Sequence, residues 1–286
     1  ADGPRAEISS DNYGSERTSV EKTTIASDGT KYLQMPMPET YLSSDSTAIR
    51  RFMQDGGVDG VLIANEYCFP ITPHTSTVTL MAMAAVIGSL KKDIRVPFGV
   101  NVVYNPEETI KMAAALGASF GRSAFGGAYT GAYGLHSVNY GDMVRLKYTL
   151  GHPEIQLLCK FNPEGDARLG DQTTEALMNE LCQGGFMGGL CVSGPGAGQE
   201  ASMGYLEEVS SLAKKKNVPV FCNTGCRHDT IERILQIADG ACVGTALKGP
   251  DGRVDLEKGK PTEVRMINGY VCQTGDKYGI ETPFND

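Results

Sequence analysis

Apolar residues along this chain fall into two rhythms, and their alternation sets the expected architecture. Short apolar runs of strand length stand at TKYLQMPM (30–37), VDGVLIAN (58–65), VPFGVNVV (96–103), ASFGRS (118–123), EIQLLCKF (154–161), MGGLCVSG (187–194), VPVFCN (218–223) and ADGACVG (238–244). Between them, apolar positions recur every three or four residues, the period of a helix with one buried face. Ser43, Ser44 and Asp45 offer caps for a helix through Ile49, Phe52 and Met53 that Gly56 and Gly57 end. Further helices are expected over 78–92, 139–150, 172–183, 203–215 and 229–237, with a closing helix near 262–272. Asn105-Pro106-Glu107-Glu108 has a capping residue, Pro at the first helical position and Glu at the third, so Asn105 is read as a cap and nothing more.

Eight strands separated by helices at similar spacing predict an α/β protein, a single (β/α)8 TIM barrel, in preference to an open doubly wound sheet. The barrel is expected over residues 31–275. Residues 1–30 lack an apolar period and form an extra N-terminal arm or surface layer, expected to be ordered by a neighbouring subunit of a homo-oligomer, and 276–286 form a C-terminal tail.

Barrels of this kind carry their sites at the carboxyl ends of the strands, which ranks the loops. The loop EYCFPITPHTS after strand two is long and is expected to line the site. In GGAYTGAYGLHSVNYG (126–141) glycines offer hinges while Tyr129, Tyr133 and His136 offer closing side chains; residues 123–137 therefore read as a mobile lid, or else as a plain surface loop. The stretch from Val218 to Gly249 contains two successive strand-to-helix turns, at Thr224-Gly225 and at Gly244-Thr245. After strands seven and eight of a barrel such turns hold phosphate by backbone N–H groups. Thr224, Gly225, Cys226, Gly244 and Thr245 are thus candidate phosphate-binding residues; the plainer reading is that the two glycines only make tight turns.

Strand five alternates Ile155, Leu157, Cys159 and Phe161 with Gln156, Leu158 and Lys160, so the all-apolar set suits the helix layer and Lys160 should point into the barrel mouth. There it could be an imine-forming amine, a general acid or base, a cation for a carboxylate or phosphate, or a partner of Glu66 or Glu164. Arg122, ending strand four, suits bidentate binding of an anion or a rim salt bridge. Asn101 lies in an apolar strand and needs partners from neighbouring strands or from a ligand. Asn65 and Glu66 end strand two, where Glu66 is placed for proton transfer. Lys160, Glu66, Arg122, Asn101 and Asn65 form the candidate catalytic set, with Lys160 and Glu66 facing one another across the mouth. His136 could join if the lid closes; His74 and His228 are weaker candidates, and His152 precedes a strand at the stability end.

Composition narrows the class. With 286 residues, 41% hydrophobic and 21% charged, the chain is long enough for one large core. The longest apolar run, Leu80 to Ile87, is too short to span a bilayer, and the polar N-terminus does not resemble a secretory signal, so a cytoplasmic protein is expected. A formal net charge of −8 argues against a nucleic-acid partner but permits a local anion site. The 8 cysteines show neither a paired CxxC nor zinc spacing, which implies reduced thiols and no predicted cofactor. Glu66, His74 and Glu164 could still meet in space, so a divalent metal is not excluded.

The motifs VDGVLIANEYCFP (58–70), GVNVVYN (99–105), ASFGR (118–122), LGD (169–171), SGPGAG (193–198) and ADGACVGTALKGPDG (238–252) together resemble the BtpA/SgcQ family of TIM barrels. The resemblance implies a phosphate-binding barrel, with members associated with photosystem I biogenesis or with sugar-utilisation gene clusters. Several positions depart from the family pattern. Ala64 and Cys68 stand where the family has acidic residues around the strand-two asparagine, Gln34 where it has a histidine, Lys160 near an aspartate position, and Glu164-Gly165 near a Lys-His pair. The family's catalytic assignments are therefore not carried over. The leading expectation is an enzyme acting on a phosphorylated small molecule, a sugar phosphate or related phosphoester, by acid/base isomerisation, epimerisation or bond cleavage. The alternatives are a non-catalytic assembly or stability factor of the photosystem I type and a metabolite-binding sensor, between which fold alone cannot choose.

Overall fold

In the computed structural model of the chain, residues 22–25, 31–34, 58–66 and 71–247 are described. Strands β1 (Lys22–Ile25) and β2 (Lys31–Gln34) pair antiparallel, with Thr23 opposite Leu33. Residues 31–34, expected to open the barrel, instead form one arm of a hairpin that straddles the boundary at residue 30. The cause is local. Ala26-Ser27-Asp28-Gly29-Thr30 carries an Asp-Gly turn pair between two short runs rich in β-formers, and such a pattern favours pairing of the flanking runs with each other.

Seven parallel strands carry the remainder: β3 (Val61–Ala64), β4 (Phe98–Asn101), β5 (Phe120–Ser123), β8 (Gln156–Lys160), β10 (Gly189–Val192), β11 (Val220–Cys222) and β12 (Gly240–Ala241). They hydrogen-bond in chain order, each to the next, as strands of a TIM barrel do. Helices α1 (Thr77–Leu90), α2 (Pro106–Leu116), α3 (Tyr140–Thr149), α4 (Thr174–Leu181), α5 (Met203–Lys214) and α6 (Ile231–Leu235) separate them. Capping decides where several of these helices begin. Ser76, Asn139, Thr173 and Ser202 each accept a hydrogen bond from a backbone N–H of the first turn. Asn105 does not. It occupies the cap position of α2, but its amide nitrogen donates to Thr75 Oγ1 (2.8 Å) and to the Val103 carbonyl (3.0 Å), so it tethers the loop before α1 to the end of β4.

Period-2 alternation separates two faces of the sheet. Ile155, Leu157, Cys159 and Phe161 are buried beneath the helix layer with Ile110, Leu177, Leu206 and Val209. Toward the barrel axis, two phenylalanine rings fill the interior and glycines on neighbouring strands make room for them. A Cβ at Gly99 would lie 2.1 Å from the Phe120 ring, and one at Gly240 would lie 2.7 Å from the Phe221 ring. This packed floor leaves the next inward-facing layer to polar residues at the mouth.

The glycine-rich segment expected to be a lid is a regular hairpin. Strands β6 (Gly127–Gly131) and β7 (Gly134–Val138) pair antiparallel, and β9 (Ala167–Arg168) adds to the β6 edge. Tyr129, read as a closing side chain, is buried and donates to the Gly126 carbonyl at 3.1 Å, so it anchors the hairpin. No helix among the described residues is long and apolar enough to cross a membrane. The helix expected around Ile49 to Met53, loop residues 67–70, the closing helix at 262–272 and the tail at 276–286 lie outside the described residues.

Candidate active site at the barrel mouth

Arg122 organises the mouth. Its position at the end of β5 turns it inward, above Phe120, and only 6% of it is exposed. Nη1 donates to Asn223 Oδ1 at 2.6 Å and Nη2 to Glu66 Oε1 at 3.4 Å. The Asn101 amide is oriented so that its nitrogen donates to the Arg122 carbonyl (2.8 Å) and its oxygen accepts from Nη2 (3.1 Å). Asn101 thus finds its partners on the neighbouring strand, and its alignment of the guanidinium is what a polar residue in an apolar strand accomplishes.

Asn223, just past β11, is the residue that inspection of the sequence missed. It is buried, accepts from Arg122, and donates to Glu164 Oε1 (2.8 Å) and Ser193 Oγ (2.9 Å). Its amide therefore links a cation, a carboxylate and a hydroxyl brought from three strand ends. Nothing in VPVFCN marks it beyond being the one polar side chain of that run. Beside it, Asn162 bonds both the carbonyl (2.7 Å) and the N–H (2.9 Å) of Ser193 and so continues the β8–β10 pairing past the strand ends.

Lys160 ends β8 directly opposite Cys191 in the register, on the inward face. Burial, followed by the nearby Arg122 guanidinium, lowers its pKa below the usual lysine range, with Glu164 and Glu66 opposing in part. The salt-bridge alternative is not what forms. Among the described residues the Lys160 amine makes no ion pair, while Glu66 engages Arg122 and Glu164 engages Asn223. Asn65 stays apart from this cluster: its side-chain oxygen accepts the Val103 N–H at 2.8 Å and holds the end of β4.

Two thiols share the inner layer. Cys191 is buried, whereas Cys242, following β12, is partly exposed. A hydrogen bond from Cys191 and the Arg122 guanidinium push the Cys242 thiol down to about 7, although its burial acts the other way. Arg122 Nε is buried without a hydrogen-bond partner in this setting.

The candidate phosphate residues divide into two kinds. Thr224 is structural at its hydroxyl, which accepts the Gly194 N–H at 2.6 Å and so ties the loops after β10 and β11 together. Gly225 adopts φ 71°, and a Cβ there would lie 2.3 Å from Glu200 Cα, so no other residue fits. Gly198, from the same loop as Glu200, approaches Thr245 closely: a Cβ there would lie 3.0 Å from Thr245 Cγ2. The Ser193-to-Glu200 loop therefore bridges the two turns. Among the described residues, the backbone N–H groups of Gly225, Cys226, Gly244 and Thr245 donate to no protein acceptor, and Gly244 has open space where a side chain would stand.

The hairpin forms one wall beside the site. Tyr104, held at φ 61°, donates its hydroxyl to Asp166 at 2.9 Å and packs edge-on against Tyr133 and His136. Burial lowers the His136 pKa. A cavity of about 180 Å³ has Tyr129, Asn162, Asp166, Arg168 and Tyr205 among its walls and adjoins the mouth cluster through Asn162. Among the described residues no group of three or more His, Cys, Asp or Glu side chains is placed to hold a metal ion.

Strand order and mouth together define an α/β barrel with a charged, amide-rich site at the carboxyl ends of its strands. The chain matches the model of the BtpA family over residues 45–265 and belongs to that family. It is 36% identical over 199 residues to the sgc region protein SgcQ of Escherichia coli, covering 68% of this chain and 72% of the relative. It is 26% identical over 196 residues to the photosystem I biogenesis protein BtpA of Synechocystis, covering 68% and 67%. Among solved structures, thiamine phosphate pyrophosphorylase from Pyrococcus furiosus superposes with a TM-score of 0.52 at 13% identity, covering 82% of this chain and 93% of that one. A native KDPGal structure superposes with a TM-score of 0.51 at 13% identity, covering 85% and 98%. At such identities the likeness establishes the TIM-barrel fold.

Proposed function

We propose that this protein is an enzyme acting on a phosphorylated small molecule, a sugar phosphate or related phosphoester, by acid/base isomerisation, epimerisation or bond cleavage. The observation that carries the reading is an inward-facing Lys160 amine that makes no ion pair among the described residues, set beside a locked Arg122 and within electrostatic reach of Glu66 and Glu164. The N–H groups of Gly225, Cys226, Gly244 and Thr245, which find no acceptor among the described residues, support a phosphate end, because unpaired backbone donors suit an anion. The fold neighbour named for a phosphate ester of thiamine accords with that reading. Phosphate held at these turns orients the other end of the ligand at Lys160, so that remote binding energy is used at the reacting centre. Glu66 and Glu164 exchange protons there, and Arg122 with Asn101 and Asn223 stabilises negative charge that develops on oxygen.

Mass spectrometry of small molecules released from the purified protein tests this reading. A phosphorylated metabolite supports it, and with that metabolite as substrate Lys160→Met and Glu66→Gln lower turnover by ~100- to 10,000-fold. Recovery of no ligand together with capture of a membrane-protein complex would instead favour the non-catalytic assembly reading, which the name of the Synechocystis relative supports.

A further inference from the structure

Lys160 is surrounded in a way that suits a free amine better than a fixed ammonium. Its strand register places it opposite Cys191, and two residues earlier on the same strand Leu158 lies opposite Arg122. The titratable groups that act on it come from four elements: Arg122 of β5, Glu66 after β3, Glu164 in the loop after β8, and the Cys191 thiol of β10, which Cys242 and burial keep protonated. Each carboxylate already has another engagement. Glu66 lies 3.4 Å from Arg122 Nη2, and Glu164 accepts from Asn223 at 2.8 Å. A lysine that only neutralised an acid would be expected to contact one of these two. One that only gripped an anion would duplicate a guanidinium already locked at the same spot by Asn101 and Asn223. What remains is the amine as a nucleophile, with two carboxylates that act on it electrostatically and lie on the same mouth as the incoming ligand.

We propose that Lys160 forms an imine with the carbonyl carbon of a phosphorylated aldehyde or ketone. The proposal deepens the reading above and rests on its phosphate end. The amine lone pair attacks the carbonyl carbon, and the carbonyl oxygen takes up a proton to give a carbinolamine. The nitrogen gives up a proton, a second proton adds to the oxygen, the C–O bond breaks with loss of water, and the C=N bond forms as the nitrogen releases its remaining proton, so that two protons leave nitrogen and two reach oxygen. Proton uptake and release balance through Glu66 and Glu164, and no oxidant or reductant is required. The substrate class narrows accordingly to phosphorylated carbonyl compounds, including open-chain sugar phosphates.

The test incubates the full chain with glyceraldehyde 3-phosphate, reduces it with sodium borohydride, and maps modified peptides; glyceraldehyde is the phosphate-free control. The expected result is a reduced adduct at Lys160, formed ahead of exposed lysines such as Lys92 and Lys215 and suppressed by inorganic phosphate. The adduct is lost in Lys160→Arg and in Lys160→Gln, and the wild-type peptide map decides by itself if neither variant folds. Trapping at Lys160 by glyceraldehyde as efficiently as by its phosphate, without competition by inorganic phosphate, upholds the imine and removes the phosphate reading. A thermal shift with inorganic phosphate, but label only on exposed lysines, upholds the phosphate site and overturns the imine.

Discussion

Arg122 Nη1 donates to Asn223 Oδ1 at 2.6 Å across 101 residues of sequence, joining the end of β5 to the end of β11 over the packed floor of the barrel. The same asparagine also holds the half-buried Glu164 and the buried Ser193, so truncating it strands two buried polar groups and a carboxylate at once. Asn223→Ala should destabilise the fold by about 1–3 kcal/mol for each group left unsatisfied. Urea unfolding measures this, and a stability equal to that of the wild type would show that the network is not structural.

Gly225 and Gly244 are predicted to differ sharply, although the sequence offers both as phosphate-binding candidates in successive strand-to-helix turns. Gly225→Ala forces a Cβ against the Glu200 backbone at a positive φ and should cost about 1–3 kcal/mol from backbone strain, with a similar amount from overpacking. Gly244→Ala meets open space among the described residues. It should leave the melting temperature nearly unchanged while weakening the binding of inorganic phosphate, measured by calorimetry, because a methyl group narrows the approach to the neighbouring N–H groups. Equal melting temperatures for the two variants would contradict the packing argument.

Cys242 should be the most readily alkylated of the described cysteines near neutral pH. Its thiol is an acid whose pKa is lowered to about 7, so the reactive thiolate predominates above that pH and is lost as pH falls through it. The rate of iodoacetamide labelling at Cys242, followed by peptide mapping, should therefore reach half its maximum near pH 7. Cys191→Ala removes the neighbouring thiol that does most to lower it and should move the midpoint upward. A midpoint near the ordinary thiol value in the wild type would remove Cys242 from the reactive layer.

The hairpin beside the site is predicted to act as a wall. Its strands pair along their whole length, Tyr129 is buried under it, and Tyr104 ties it to Asp166. Hydrogen exchange at 127–131 and 134–138 should be the same with and without inorganic phosphate. Tyr104→Phe, which removes one hydrogen bond, should speed exchange there by the equivalent of about 1 kcal/mol. Protection that rises on adding phosphate would restore the lid expected from the glycine content.

The apolar rhythm by itself determined seven parallel strands, the helices between them and the inward direction of Lys160, because period 2 and period 3.6 are properties of the backbone that a sequence displays directly. It also placed Arg122, Asn101 and Glu66 at strand ends on one side of the barrel. Tertiary structure decided which of these residues meet. Asn65 and Asn105 looked like a site residue and a helix cap, yet both are consumed in holding loop backbone, since hydrogen-bond demand there depends on which segments come together. Asn223 gave no local signal, because its partners Arg122, Glu164 and Ser193 arrive from distant strands. The segment at 31–34 paired with residues 22–25 rather than with the barrel, a contest between local and distant pairing that a pattern of apolar residues does not record. Likewise the glycines at 126–134 are hinge-like in composition, but pairing to β9 and the buried Tyr129 ring turns them into a hairpin.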